Sequence, residues 1–407
     1  MEPLFDDVPG LVYLGLAFQR TPYEVVPMLV AVPKEILPGE NRVALIPASV
    51  AALTKAGLEV WVESGAGAGS FHGDPAYEAA GATIAPNADA LYQSADILFK
   101  VRPPEPAEVG KMKDGITLIC LMDAFFKLDL MEQLSAKNIS GFGLEFVPRI
   151  TRAQSMDVLS SMAAIAGYRA VIEAAGLLPK YFPMLMTSAG TITPSRVFVI
   201  GAGVAGLMAI ATAKRLGAVV EAYDTRPVVK EQVESVGAKF VEFDLATGDA
   251  EDHGGYAKAQ SAEFYRQQQE QMKAKLETVD VVITTAAIPG QRAPVLITDD
   301  MLQAMRPGSV IVDLAAERGG NTEGAVAGEV VERHGVRIVG YTDYPSRSST
   351  HASQLFSKNI TTFLLNMVKE DRFAIDREDE IVKGSLLVHE GQVVHERIRP
   401  LMNQKGE

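Results

Sequence analysis

Gly201, Gly203 and Gly206 form GxGxxG between the apolar run 197–200 (VFVI) and an apolar-periodic stretch that ends in Lys214 and Arg215. Strand, glycine turn and helix in that order suit the diphosphate of a dinucleotide. The first glycine permits the tight turn, the second lets the backbone approach the phosphates, and the third lets helix and strand pack closely. The anion then rests on the free N–H groups of the helix N-terminus, which opens at Val204. Asp224 lies 18 residues beyond Gly206, in the run Glu221-Ala222-Tyr223-Asp224-Thr225-Arg226. An acid at that place accepts hydrogen bonds from the adenosine ribose and repels a 2′-phosphate, which marks NAD(H) rather than NADP(H). Arg226 keeps an alternative open, because a guanidinium there suits a 2′-phosphate or the diphosphate.

The elements that must position these groups alternate from residue 28 onward. Strands are expected at 28–32, 58–62, 97–101, 116–122 and 143–147, with helices at 47–57, 88–94 and 128–137, a βα repeat that implies a parallel sheet covered by helices. Residues 156–176 carry Met156, Leu159, Ile165, Tyr168, Val171 and Ile172 at helical spacing, and Gly176 is a plausible stop. A second set of strands follows at 197–200, 218–223, 239–241, 279–284, 309–313 and 337–340. Another helix is expected over 352–367, and the tail 381–398 is strand-like with a turn at Glu390-Gly391. The fold class is therefore α/β: two Rossmann-like parallel-sheet domains, joined by long helices, with a cleft between them. The expected division is an extension at 1–27, a first domain of 28–155 plus 365–407, and a nucleotide-binding domain of 156–364. Between 244 and 276 the apolar pattern fails, which predicts a mobile loop over about 245–276 acting as a lid. Tyr256, just after Gly254 and Gly255, is its natural tip.

Bulk properties narrow the function classes. The chain has 407 residues, 47% of them hydrophobic, and a formal net charge of −13, which argues against nucleic acid or anionic lipid as the main partner. A single cysteine, Cys120, sits in an apolar run, so no intrachain disulfide framework is possible and a reducing, cytoplasmic setting is expected. No transmembrane span is expected; the longest apolar candidate, 197–213, contains three glycines and reads as strand, turn and helix. No metal site is expected.

The segments VPKEILPGENRVALIP (32–47), KAGLEVWVESGAGAGSF (55–71) and YEAAGA (77–82) resemble the family shared by alanine dehydrogenase and the NAD(H)-binding component of proton-translocating nicotinamide nucleotide transhydrogenase. The resemblance covers nearly everything from Val30 to Arg397, and its two branches separate at a few positions. Alanine dehydrogenases carry a substrate-binding lysine in a KVKEP segment, where this chain has Lys100-Val101-Arg102-Pro103-Pro104. They carry a catalytic histidine where this chain has Asp123. Amino-acid oxidation needs a group that moves protons during hydride transfer, so losing both residues leaves that chemistry unsupported. Arg42 remains, and a role in the fold then suits it best.

The run from Pro148 to Ser161 is similar instead to the transhydrogenase loop that holds the nicotinamide ring against a partner subunit. The resemblance implies that Arg149, Ile150, Thr151, Gln154 and Asp157 meet the cofactor with Ser160 beside them. It implies as well that Gly255 and Tyr256 belong to a mobile loop closing over the nucleotide. Val204, Asp224, Thr225, Arg226, Gln268 and Ala287 match nucleotide-contacting positions. The implied reaction is direct hydride transfer between NADH held here and NADP⁺ on a partner, which needs close placement of two rings and no acid or base. The implied partners are an NADP(H)-binding subunit, a membrane-spanning subunit that carries the protons, and a second copy in a homodimer, with peripheral attachment at the cytoplasmic face. Three alternatives remain: a freestanding NAD-dependent amino-acid dehydrogenase of the alanine or saccharopine type, a non-catalytic NAD sensor, and a fold retained with a dead site.

Overall fold

A computed structural model of the chain describes residues 28–243, 262–288, 290–369 and 372–405. The N-terminal extension and residues 244–261, with Gly255 and Tyr256, lie outside the described residues. Six strands open the chain: β1 (Leu29–Val32), β2 (Glu59–Glu63), β3 (Thr83–Ala85), β4 (Ile97–Phe99), β5 (Thr117–Cys120) and β6 (Ser140–Gly143). All pair in parallel. Every residue of β1, β4 and β5 is buried, because helices cover both faces of a parallel sheet, and that is why these strands read as unbroken apolar runs. Cys120 is one of these buried residues, a small hydrophobe of the core.

The strand expected at 143–147 is displaced toward the N-terminus. β6 finishes at Gly143, and Leu144–Phe146 is a 3₁₀ turn. Glycines hid the strand: a Cβ on Gly143 would meet Leu387 Cδ1 at 2.8 Å, so the strand needs the bare backbone that keeps it from reading as apolar.

The linking helix Val158–Leu177 carries the chain out of this sheet. Among the described residues it is the one helix long and apolar enough to cross a membrane, a longer candidate than the 197–213 stretch named from sequence. It packs on two other helices, Val204–Arg215 and Ser349–Asn366, and buries Val158, Ile165, Gly167 and Val171. After it, β7 (Leu185–Thr187) and β8 (Gly190–Ile192) form an exposed hairpin that the sequence pattern did not announce.

The second sheet follows with β9 (Arg196–Ile200), β10 (Val219–Tyr223), β11 (Lys239–Phe240), β12 (Val281–Thr284), β13 (Val310–Asp313), β14 (Val330–Arg333) and β15 (Val336–Val339). Their order is β11-β10-β9-β12-β13-β15-β14, parallel except for β14. The chain winds one way from β9 to β10 and the other way from β12 to β13. Ligands of open α/β sheets sit at that reversal, beyond the strands' carboxyl ends. The second half of the stretch expected to be a loop is the helix Ala262–Leu276, which buries Gln268, Met272 and Leu276 along one side.

The hairpin β16 (Val368–Lys369) and β17 (Arg372–Phe373) precedes a return to the first sheet. There β18 (Leu386–His389) and β19 (Gln392–Val393) are joined by Glu390-Gly391, both at positive φ as a tight two-residue hairpin demands. β18 pairs antiparallel with β6, completing the order β19-β18-β6-β5-β4-β1-β2-β3.

Candidate functional site

The glycine turn has the geometry its pattern predicts. Gly201 adopts φ +96°, and a Cβ there would sit 2.4 Å from Thr285 Oγ1. A Cβ on Gly206 would stand 1.9 Å from the Gly201 carbonyl, so helix and turn touch only because that side chain is absent. Gly203, the N-cap of the helix Val204–Arg215, would point a Cβ into open space. That space is a cavity of about 640 Å³ at the sheet's reversal point. Its wall includes Gly201, Gly203, Val204, Asp224, Thr225 and Arg226, joined by Gln268 and Ala287 from distant segments. The size and the bare backbone fit a dinucleotide, with the helix N-terminus supplying N–H groups to a diphosphate.

At the far side of the turn, Asp224 is nearly buried, and both its oxygens are engaged. Oδ2 accepts from the Ala202 N–H at 2.7 Å and from Arg226 Nη2 at 2.9 Å; Oδ1 accepts from Arg226 N and Nε at 2.9 and 3.0 Å. Gln268 donates to the Tyr223 hydroxyl at 2.8 Å, while its Oε1 is buried in the cavity wall with no partner. A buried acceptor left unmatched is costly, and a donor on a bound ligand would satisfy it. Ala287 is held in the wall through its neighbour: Asn321, fully buried, donates to the Ala286 carbonyl at 2.8 Å and accepts from Ala286 N at 3.0 Å. Asp313 in turn accepts from the backbone N–H groups of Asn321 and Thr322. Neither residue lies in a motif, so nothing local in the sequence marks them.

The opposite rim is the 3₁₀ turn Thr151–Met156 and the helix it leads into. Arg149 and Ser160 line the cavity. Ile150 is half-buried, Thr151 and Gln154 are exposed, and Asp157 is half-buried, none of them on the cavity wall. Asp157 is the N-cap of the linking helix: Oδ1 accepts from Ser160 N at 2.8 Å and Oδ2 from Ser160 Oγ at 2.6 Å. The structure thus couples Asp157 to Ser160 directly, where the resemblance sets them only side by side.

A second cavity, of about 390 Å³, lies in the first unit and shares Leu159 with the larger one. Its wall holds Lys100, Arg102 and Asp123, the positions that separate the two branches of the resemblance. Every cation in it is paired. Lys100 is buried between Glu35 and Glu108 at 3.4 and 2.9 Å. Arg102 and the buried Arg42 both bind Glu40, and although burial works against ionisation the two guanidiniums hold that carboxyl down at about 2. Arg42 is therefore a structural residue, as expected. Asp123, at φ +51°, reaches across the cleft to Arg318 at 2.6 Å, and Arg318 stacks on Phe126. Beneath this bridge Glu145 accepts from the N–H groups of Met122 and Ala124, and burial pushes its carboxyl up to about 7.

Comparison with known proteins places these features in a family. Residues 31–166 match the family model described as alanine dehydrogenase/PNT, N-terminal domain, and residues 170–396 match the corresponding C-terminal domain. The chain is 49% identical over 376 residues to an NAD(P) transhydrogenase subunit alpha chain of Rhodospirillum rubrum, covering 90% of this chain and 98% of that one. Among solved structures, a transhydrogenase from Sinorhizobium meliloti superposes with a TM-score of 0.82 at 46% identity, over 90% of this chain and all (100%) of that one. An L-alanine dehydrogenase superposes with a TM-score of 0.78 at 26% identity, over 93% and 99% of the two chains.

Proposed function

The chain belongs to the alanine dehydrogenase/PNT family, and on that footing we propose that it is the NAD(H)-binding component of a proton-translocating transhydrogenase, passing a hydride between NADH held here and NADP⁺ held by a partner subunit. One observation carries the choice within the family. The dinucleotide-shaped cavity is rimmed by the polar turn Thr151–Met156, and neither cavity is lined by a histidine. Direct transfer between two nicotinamides moves no proton at the redox step, so it needs placement and dryness rather than an acid or base. The position where an amino-acid dehydrogenase keeps its histidine is given over to the Asp123–Arg318 bridge.

In this reading residues 28–155 with 365–407 form one domain and 156–364 the nucleotide-binding one. Gly201, Gly203 and Gly206 admit the diphosphate, Val204 opens the helix whose N–H groups hold it, and Asp224, with Thr225 and Arg226 beside it, takes the adenosine ribose. Gln268 Oε1 accepts from the adenosine end, and Ala287 closes the wall. Arg149, Ile150, Thr151, Gln154, Asp157 and Ser160 orient the ring end, while Gly255 and Tyr256 fold over the nucleotide. Leu159 and Ala163 keep water away. The cofactor, when bound, supplies or receives the hydride. A membrane-spanning subunit carries the protons, and the chain works as a homodimer attached to the cytoplasmic face of the membrane through its partners.

The test mixes this chain with an NADP(H)-binding partner subunit and follows hydride transfer from NADH to an NADP⁺ analogue. Turnover of alanine with NAD⁺ alone, and no transfer, would contradict the proposal. Asp157→Asn keeps an N-capping side chain but removes the charge. It is expected to slow transfer on the order of tenfold or more while leaving NADH affinity within about twofold.

A further inference from the structure

The 3₁₀ turn has three faces, because residues three apart eclipse one another. Ala153 and Met156 form the inward face, buried in the core of the first unit with Phe356, Ile360 and Phe363. Thr151 and Gln154, continued by Asp157, form the face that the proposed function assigns to the nicotinamide. Arg152 and Ser155 form the third, and it is this face that the rest of the chain grips. Asn359 Nδ2 donates to the Ser155 carbonyl at 2.8 Å. Arg152 Nη1 donates to Asn366 Oδ1 at 3.1 Å and to Asp379 Oδ2 at 2.8 Å. Asn359 and Asn366 lie two turns apart on the helix Ser349–Asn366, and Asp379 is itself fixed as the N-cap of the helix Glu380–Ser385.

We infer that Asn359 and Arg152 are positioning residues for hydride transfer, clamping the back of the turn so that Gln154 and Asp157 keep one orientation toward the ring. This inference rests on the proposed function. A six-residue 3₁₀ turn holds itself poorly, since its hydrogen-bond geometry is weaker than that of an α-helix, so its aim depends on outside anchors. The two anchors come from segments more than 200 residues downstream.

Asn359 shows why this is positioning rather than general support. It is 6% exposed among apolar neighbours, and its Oδ1 has no hydrogen-bond partner. A buried amide with an unmatched oxygen costs stability relative to an apolar side chain of its size. What its one hydrogen bond secures is the place of the Ser155 carbonyl, at the centre of the turn. Misplacing a reacting pair by about 1 Å costs on the order of a hundredfold in rate.

The experiment uses the full chain with its NADP(H)-binding partner and compares the wild type with Asn359→Leu and Arg152→Ala. Three quantities are read: Tm, NADH affinity by fluorescence titration, and transfer rate to an NADP⁺ analogue. Hydrogen exchange across 151–157 is followed in parallel. Asn359→Leu is expected to leave Tm unchanged or raised and NADH affinity within about twofold, to speed exchange in the turn, and to slow transfer by about tenfold to a hundredfold. Arg152→Ala is expected to act in the same direction. Wild-type transfer rates with unchanged exchange would overturn the inference, as would rate, affinity and Tm falling together in proportion. A wild type that transfers no hydride would defeat the proposed function instead, and the exchange measurement would still decide whether Asn359 and Arg152 fix the turn.

Discussion

Asp224 shows how much one carboxylate can be asked to do. Its two oxygens already receive four N–H groups, three from Arg226 and one from the glycine turn at Ala202. A ribose can reach it only by sharing or displacing the guanidinium, so the acid and the arginine act together on the adenosine end. Removing the acid loses charge-assisted hydrogen bonds worth about 1.5–3 kcal/mol and frees a guanidinium beside the 2′ position. Asp224→Ala is therefore expected to weaken NADH binding on the order of tenfold to a hundredfold and to narrow the preference for NADH over NADPH. Titration of both nucleotides checks it, and an unchanged NADH/NADPH ratio would count against the assigned role.

At the scale of elements, the tightest joint is where the linking helix crosses the helix of the glycine turn. A Cβ on Gly167 would lie 2.0 Å from the Ala205 carbonyl oxygen, so the two backbones meet directly. Gly167→Ala must push them apart, an overpacking change that costs about 1–3 kcal/mol. Because Ala205 lies inside the glycine turn's helix, NADH affinity should fall together with Tm; calorimetry and titration on one sample test this, and a loss of Tm without a loss of affinity would show the joint is only structural. Gly167 is inconspicuous as a sequence letter, whereas Gly201, Gly203 and Gly206 were legible because their spacing is itself the signal. Most strands were visible for a similar reason, since burial on both faces writes a continuous apolar run. Elements that bury little wrote nothing clear. β14 and the β7–β8 hairpin are mostly exposed, and the helix Ala262–Leu276 hides only one side, with Gln268 as one of its inward residues. Asn321 and Asn359 were illegible for another reason: each acts on backbone far away in sequence, and such contacts leave no local pattern.

Over the whole molecule, the bridge between the two units stands on a titrating support. Glu145 holds the loop that carries Asp123, and its carboxyl is raised by burial to about 7 from an ordinary value of 4.5. A carboxyl that binds its proton more tightly folded than unfolded adds stability in full below about pH 4.5 and loses it as the pH rises through about 7. The wild type should therefore lose about 3 kcal/mol across that interval relative to Glu145→Gln. Urea unfolding of both proteins at the two ends of the window measures the difference, and parallel pH dependences would refute it.

The pairing of β18 with β6 sets a timetable for biosynthesis. The first sheet begins within the opening third of the chain, yet its edge at β6 waits for a strand that leaves the ribosome only near the end of synthesis. Until Leu386–His389 arrives, β6 offers unpaired backbone N–H and C=O groups to any other extended chain nearby. A nascent polypeptide of this protein is thus most vulnerable to aggregation during the long interval when its second sheet is being made. A closure between segments so far apart also predisposes the molecule to slow folding. Ribosome stalling anywhere between the two strands would release a product with its first sheet open.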